Sequence, residues 1–266
     1  MPLQYSRIKL NRNIDAGKIS GTTENVDLLK LRLTGFEKNK PIDLYLDSLN
    51  TINYTTLSDN DSVFLKREAG QWKLTGKPGL QLKGPHRNGT FKEGFNKRMV
   101  YVYGTGGSAE EKQWSINKAR FDAESWYYRG NGAFDIVSDK EYSKEKYAGR
   151  NVVLIGNAST NAAWKVLLKD CPIQVSAGSI KVGTQRWTGN DIGSYFVWPI
   201  AGTTDLTVSV ITGTALDGMN AVNANQYFAG GSGFPDIMVF RLGMLKSGID
   251  QVMYTGFFDN AWKLVP

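Results

Sequence analysis

The sequence predicts a small all-β module followed by an α/β domain whose sheet is doubly wound and mainly parallel. Before about residue 80, the apolar segments are short and bounded by Gly, Pro, Asn and Asp, a pattern typical of antiparallel strands. From residue 99 onward, unbroken apolar runs alternate with segments predicted as helices, which is typical of a parallel sheet covered on both faces. The change of pattern divides the chain into two domains.

The predicted boundaries are 1–80 for a small antiparallel β domain, 81–98 for a Gly/Pro-rich linker, and 99–266 for the α/β domain. Strands are predicted in the first domain at Asp27–Leu33, Pro41–Leu46, Ser62–Leu65 and Gln71–Leu74. They are predicted in the second at Met99–Tyr103, Phe134–Val137, Asn151–Ile155, Ile173–Val175, Ser179–Val182, Ser194–Trp198, Leu206–Ile211, Asp236–Phe240 and Val252–Phe257. Helices are predicted from Ser108 to about Tyr128, after Gly156-Asn157, and over Asp217–Phe228.

Composition excludes several classes of protein. One Cys in 266 residues rules out an internal disulfide and a Cys-based zinc site. No uncharged stretch approaches the roughly 18 apolar residues of a spanning helix, so no membrane partner is predicted.

Positive charge is concentrated in the first 100 residues, which hold 17 Lys and Arg against 10 Asp and Glu, whereas the rest holds 15 against 15. The densest part comprises Lys83, Arg87, Lys92, Lys97 and Arg98. Such a cluster is a footprint for a polyanion, a solvated face, or a surface that docks on an acidic neighbour. Because no nucleic-acid-binding motif accompanies it, nucleic acid is not a predicted partner.

The turn after the first strand of the second domain reads Gly-Thr-Gly-Gly-Ser-Ala from Gly104 to Ala109, a G-x-G-x-x-A pattern between a strand and a helix. Glycines there would let backbone N–H groups approach a phosphate at the helix N-terminus. The acidic residue expected about 20 positions later is missing, since the nearest candidate, Asp139, lies about 30 positions on. An ordinary Gly-rich βα turn is therefore favoured as the explanation of the pattern.

Two further turns of the predicted sheet are rich in Asn, Ser and Thr. Ligands of open α/β sheets bind outside the carboxyl ends of the strands, so the three turns together are a candidate ligand site for an anion or a sugar hydroxyl. The candidate residues are Gly104, Thr105, Gly106, Gly107, Ser108, Asn157, Ser159, Asn161, Thr212 and Thr214.

Catalytic machinery is not identifiable in this sequence. A G-x-S-x-G nucleophile elbow does not occur, and the single His, His86, lies in the predicted linker, where a surface position is expected. One His and one Cys leave only scattered carboxylates for a metal, so neither a metal nor a cofactor is predicted.

An ordered set of short motifs resembles the C-terminal half of large exported bacterial α/β hydrolases of the prolyl-oligopeptidase-like or esterase-like kind. The motifs are Gly84-Pro85, Phe95, MVYVYGTGG, NVVLIGNASTN, SYFVWPI, LTVSVITG, FPDIMVF and GFFD before Trp262. In that family a serine hydrolase domain comes first, and a small β module and a flavodoxin-like domain follow. This chain departs from the family at residues 86–90, where an acidic motif is expected.

The resemblance implies a non-catalytic C-terminal region that caps or orients the catalytic domain of a hydrolase or helps to bind its substrate, with esterase favoured over peptidase. Its partners would be the N-terminal α/β hydrolase domain of the same precursor and a carbohydrate-linked substrate. The location would be periplasmic or extracellular, or cytoplasmic if the chain is complete. Two alternatives are a free-standing flavodoxin-like protein that binds a nucleotide or flavin at Gly104–Ser108, and a carbohydrate-binding module.

Overall fold

Short alternating segments form the first unit, Met1–Pro78, of the computed structural model, which describes residues 5–58, 61–223 and 226–265. In its described part, four strands form one sheet in the order β1-β2-β4-β5 and three form another in the order β3-β6-β7. The strands are β1 (Arg7–Asn13), β2 (Lys18–Glu24), β3 (Leu28–Arg32), β4 (Pro41–Leu46), β5 (Thr51–Thr55), β6 (Ser62–Glu68) and β7 (Gln71–Thr75).

The alternation of apolar and polar residues along these strands produces the core of the first unit. Ile42 and Leu44 of β4 are buried and alternate with exposed Asp43, and Leu65 and Trp72 pack in the same cluster. One strand pair, β2–β4, is parallel, whereas the other pairs of the two sheets are antiparallel. The unit is therefore all-β with one parallel pair.

The second unit, Gly79–Pro266, is built on a mixed sheet with the strand order β17-β16-β14-β15-β10-β8-β9 across its described residues. Its strands are β8 (Met99–Tyr103), β9 (Asp135–Ser138), β10 (Asn151–Ile155), β11 (Ile173–Ser176), β12 (Ser179–Val182), β13 (Gln185–Thr188), β14 (Ile192–Pro199), β15 (Thr207–Gly213), β16 (Ile237–Arg241) and β17 (Val252–Gly256). Its α-helices are α1 (Ala109–Gly130), α2 (Trp164–Leu167), α3 (Leu216–Ala221) and α4 (Met244–Ser247), and 3-10 turns occupy Phe91–Phe95, Gln226–Phe228 and Gly248–Gln251.

The prediction of a flavodoxin-like, doubly wound α/β domain is wrong. Strands make up 38% of the structure and helices 19%. The sheet is parallel only from β9 through β8 and β10 to β15, and β14, β16 and β17 continue it antiparallel. An unbroken apolar strand thus indicates burial on both faces of the sheet. It does not indicate whether the strand runs parallel or antiparallel to its neighbours.

The segment after Gly156-Asn157, where a helix was predicted, shows most clearly why the predicted fold class is wrong. Only Trp164–Leu167 is helical there, because Asn157 and Asn161 bond to nearby backbone groups and hold the preceding residues in turns. The next residues form the antiparallel sheet β11-β12-β13, whose apolar side chains share one core with Val152 and Leu154 of β10. A small sheet therefore covers the face where a doubly wound fold places helices.

Helices cover the opposite face of the large sheet. Ala119 of α1 and Ala221 of α3 pack with Tyr101, Val153 and Ile211 in a second cluster. The helix predicted over Asp217–Phe228 is shorter than expected, because α3 ends at Ala221 and a 3-10 turn begins at Gln226. The single long helix of the described residues is α1.

Candidate functional site

The three polar turns lie together at one edge of the large sheet. β8, β10 and β15 are parallel neighbours with β10 in the middle, so their carboxyl ends share that edge. Gly106 N–H donates to the carbonyl of Thr160 at 2.8 Å, and Asn157 Nδ2 donates to the carbonyl of Gly213 at 2.8 Å. The structure therefore brings the candidate turns into direct contact with one another.

The glycine-rich turn uses its N–H groups within the protein. Gly104 N–H donates to the carbonyl of Ile155 at 3.0 Å, and Thr105 donates to Asp139 Oδ1 from its N–H at 3.2 Å and its hydroxyl at 2.7 Å. A Cβ on Gly104 would lie 2.5 Å from the carbonyl oxygen of Thr160, so the close approach of the two turns requires glycine. This explains the glycine without a ligand.

Ser108 forms a capping box at the start of α1. Its hydroxyl oxygen accepts from Glu111 N–H at 3.2 Å, and its own N–H donates to Glu111 Oε2 at 2.8 Å. The hydroxyl also donates to Glu110 Oε2 at 2.8 Å, and Gly107 takes a left-handed φ of 82° before the cap. Two carboxylates thus lie at the N-terminus of α1, where their negative charge would oppose a phosphate of a nucleotide or flavin at Gly104–Ser108.

Asn157 and Asn161 are buried and fasten the strands. Asn161 Nδ2 donates to the carbonyls of Val102 at 3.0 Å and Ile155 at 2.9 Å, and its Oδ1 accepts from Ala163 N–H at 3.0 Å. These bonds tie β8 to β10 at their ends, as a buried amide must be satisfied.

The remaining candidates lie around these amides. Ser159 Oγ accepts from Ala177 N–H at 3.2 Å, and Thr214 Oγ1 accepts from Ile192 N–H at 3.3 Å. The buried hydroxyl of Thr212 has no hydrogen-bond partner within the described residues. Most polar groups of the predicted site therefore form hydrogen bonds with other groups of the protein.

The opposite, amino edge of the sheet is covered by residues 79–98, here called the basic segment, which includes the predicted linker 81–98. Lys83 forms an ion pair with Asp236, and their side chains are 10% and 1% exposed. The carboxylate of Asp236 also accepts from Thr90 N–H at 2.6 Å and Phe258 N–H at 2.8 Å. The segment is therefore anchored within the second unit.

Arg87 is buried in the same segment. Its guanidinium donates to the carbonyls of Leu206 at 3.1 Å and Thr203 at 3.2 Å, and it lies 5.5 Å from the centre of the Trp262 ring. Burial lowers the pKa of Arg87 and raises the pKa of the neighbouring buried Glu93. A polar network thus occupies the amino edge.

Two lysines complete the anchoring of the basic segment. Lys92 Nζ donates to the carbonyl of Ala229 at 3.0 Å, and Lys97 Nζ donates to Asp205 Oδ2 at 2.6 Å. Four of the five clustered cations therefore bind acceptors in their own unit. This arrangement explains the charge cluster without a polyanion.

His86 belongs to the basic segment and is partly buried. Its Nε2 lies 2.8 Å from the carbonyl oxygen of Leu80, within hydrogen-bond distance. The contact gives the imidazole a backbone partner, an arrangement that serves the local turn rather than the activation of a nucleophile.

A buried charged network under α1 was missed by the sequence reasoning. Lys118 Nζ donates to Asp122 Oδ1 at 2.9 Å and to the carbonyl of Asn223 at 3.0 Å, while Tyr101 and Tyr227 donate to Asp122 Oδ2. Burial lowers the pKa of Lys118 and raises that of Asp122. The only sequence signal was the i, i+4 spacing, which usually marks an exposed helix face.

A shallow groove of about 580 Å³ separates α1 from α3 on the helical face of the sheet. Glu110 is its only charged lining residue. The lining residues are Ala109, Glu110, Gln113, Trp114, Asn117, Leu216 and Asn220. None of them was singled out as a ligand-binding residue from the sequence, because helical amides carry no motif.

Comparisons with known proteins leave the family open, since no protein-family model and no curated protein matches this chain. No helix in the described ranges is both long and apolar enough to cross a membrane. Within those same ranges, no cluster of three or more His, Cys, Asp or Glu side chains has the arrangement of a metal site.

Proposed function

We propose that this chain is a non-catalytic accessory region of an exported hydrolase, with esterase favoured over peptidase. In this role it orients or supplements a catalytic α/β hydrolase domain of the same precursor, in the periplasm or outside the cell. The resemblance of the sequence motifs suggests the hydrolase, and the internal hydrogen bonds of the candidate hydroxyl groups support a role without catalysis.

One observation carries the non-catalytic part of the proposal. Open α/β sheets place their active sites at the carboxyl edge, and the hydroxyl groups there already have partners within the protein. Ser108 caps α1, Thr105 donates to the carboxylate of Asp139, and Ser159 accepts from a backbone N–H group. Nε2 of His86 lies 2.8 Å from the backbone carbonyl oxygen of Leu80, and no hydroxyl of the described residues hydrogen-bonds to its ring. An activated nucleophile needs a base within about 3.2 Å of its hydroxyl.

Ester hydrolysis by the purified chain tests this part directly. The rate with p-nitrophenyl acetate is expected to equal that of a heat-denatured sample. The matched variants are His86→Ala and Ser108→Ala. Turnover by the native chain that either substitution abolishes would contradict the proposal, since it would show a working nucleophile or base.

The reading frame and reconstitution test the accessory part. A signal sequence and a G-x-S-x-G motif upstream and in frame would support it, and a stop codon just before Met1 would overturn it. With such a hydrolase in hand, its activity on a carbohydrate-linked ester should be higher with this region attached, whereas its activity on p-nitrophenyl acetate should not change.

A carbohydrate-binding module is the second candidate function. The groove between α1 and α3 favours it, because an aromatic ring and several amide side chains line an open depression without a lysine or arginine. The two functions are compatible, since a hydrolase that acts on carbohydrate-linked esters gains from an attached binding module.

A further inference from the structure

We infer that the groove between α1 and α3 binds a neutral carbohydrate chain, with Trp114 as the aromatic contact and Gln113, Asn117 and Asn220 as the polar contacts. This deepens the proposed accessory role by naming a binding site and a ligand class. It rests on the geometry of the groove and can fail without the hydrolase proposal failing.

Trp114 supplies the apolar part of the site. Its side chain lines the groove and is partly exposed, yet its Nε1 is buried without a hydrogen-bond partner in the described part of the chain. The exposed part of the side chain is therefore carbon. Exposed side-chain carbon suits the C–H face of a sugar, which has apolar surface beside its hydroxyl groups.

Amide side chains supply the polar part. Gln113 Nε2 donates to Asn117 Oδ1 at 2.8 Å, one turn further along α1. This bond leaves the carbonyl of Gln113 and the NH₂ group of Asn117 without a partner among the described residues. An amide carbonyl accepts and an NH₂ group donates, and a sugar hydroxyl does both, so the two groups match neighbouring hydroxyls.

Charge selects against acidic ligands. Glu110 is the only charged residue of the lining, and Lys118, four residues after Trp114, is fully buried in its pair with Asp122. A phosphate, nucleotide or uronic acid would meet one carboxylate and no lining cation. The groove therefore favours an uncharged ligand.

The shape of the groove favours a sugar chain over a peptide. Both walls are helices, which present no strand edge to which an extended peptide could add. A shallow, open groove accommodates a linear oligosaccharide that stays partly solvated.

Binding is tested by isothermal titration and by affinity electrophoresis with the full chain. The neutral probes are cellohexaose, xylohexaose and mannohexaose, polygalacturonate is the acidic probe, and an uncharged proline-rich peptide is the peptide probe. We expect at least one neutral hexasaccharide to bind at millimolar concentration or better. Absence of binding to all three, or binding to the acidic or peptide probe alone, would overturn the inference.

Variants locate the site. Trp114→Ala should weaken binding at least about tenfold, corresponding to the loss of one aromatic contact. Tyr128→Ala is the matched control, because Tyr128 is a 92% exposed aromatic on the same helix and lies outside the groove lining. Equal weakening by both variants, or by neither, would overturn the assignment.

Polar variants keep the test valid if Trp114→Ala does not fold, as judged by circular dichroism. Asn117→Ala and Asn220→Ala change partly or fully exposed side chains and should each weaken binding while the melting temperature stays unchanged. Unchanged affinity in both would place the sugar elsewhere. If a hydrolase is stimulated by the chain but no neutral sugar binds, only this inference fails; if sugar binds without stimulation, only the accessory role fails.

Discussion

The two edges of the large sheet bury polar groups in different ways. At the amino edge, the basic segment is held by charged side chains, above all the buried pair of Lys83 and Asp236. At the carboxyl edge, neutral amides such as Asn161 bond to backbone carbonyls of the strands. A segment with little regular structure needs long side chains to find partners, whereas tight turns satisfy their backbone with short ones.

The comparison predicts the largest loss of stability for Asp236→Ala. The substitution leaves Lys83 buried without its counter-ion and leaves the N–H groups of Thr90 and Phe258 without their acceptor. Breaking one partner of a buried pair typically costs about 3–5 kcal/mol. Urea unfolding monitored by fluorescence measures the free energy of unfolding.

Asp205→Ala is the control for this prediction. Its carboxylate pairs with Lys97 at the same edge but is 48% exposed. Solvent screens an exposed pair, so the loss should stay below about 1 kcal/mol. Equal losses in the two variants would show that burial does not distinguish the two ion pairs.

At the carboxyl edge, Asn161→Ala should lower the free energy of unfolding by about 2–3 kcal/mol. It removes two hydrogen bonds to buried carbonyls and one from Ala163 N–H, and unsatisfied buried groups cost about 1–3 kcal/mol each before relaxation. Ser159→Ala in the same turn removes one longer, exposed bond and should cost less than about 1 kcal/mol. A reversed order would mean that the amide does not hold the strands together.

Ser108→Ala tests the helix cap at the same edge and should cost about 1 kcal/mol. Ser108→Asp is the rescue variant, since an aspartate also accepts from the N–H of the third helical residue. Thermal unfolding should show a lower midpoint for the alanine variant and recovery for the aspartate variant. Equal midpoints for alanine and wild type would argue that the capping box contributes little.

The smallest change in the free energy of unfolding is expected for Glu93→Gln, and it should be an increase rather than a loss. Burial raises the pKa of the Glu93 carboxyl above the unfolded value, so the folded state holds the proton more tightly than the unfolded chain. Its contribution to stability is present below the unfolded pKa of about 4.3 and is lost as the pH rises through the folded pKa. Glu93→Gln should therefore be more stable than wild type at pH 7.

The pH dependence provides the control for Glu93. The advantage of Glu93→Gln should shrink as the pH falls below about 4, where the wild-type carboxyl is protonated in both states. Chemical unfolding at pH 3.5 and pH 7 measures both differences. A variant that is less stable than wild type at pH 7 would show that the carboxylate is stabilised by Arg87 and Lys97 more than burial disfavours it.

Much of the local structure was predictable because it depends on neighbouring residues. The strand β8, the cap at Ser108 and the helix α1 follow from an apolar run, a glycine turn and a Ser with Glu111 three residues later. The meeting of the three turns at one edge follows from three parallel strands. These features required no knowledge of distant contacts.

The uses of the polar residues were not predictable, because they depend on partners far away in the sequence. Lys83 meets Asp236 across 153 positions, and Asp122 accepts from Tyr227 across 105 positions. The buried stripe of α1 consists of Ser115, Lys118, Ala119 and Asp122, so hydrophobic periodicity does not reveal which face packs on the sheet.

The sequence by itself determined where most strands and the polar turns occur, because alternation, apolar runs and glycine act over a few residues. Only the tertiary structure decided that β14, β16 and β17 run antiparallel and that β11–β13 cover a face where helices were expected. Strand direction and the covering layer are set by which distant surfaces pack together, and an apolar run looks the same in either direction. For the same reason, the sequence identified the basic cluster, but only the tertiary structure showed that most of its cations bind acceptors within their own unit.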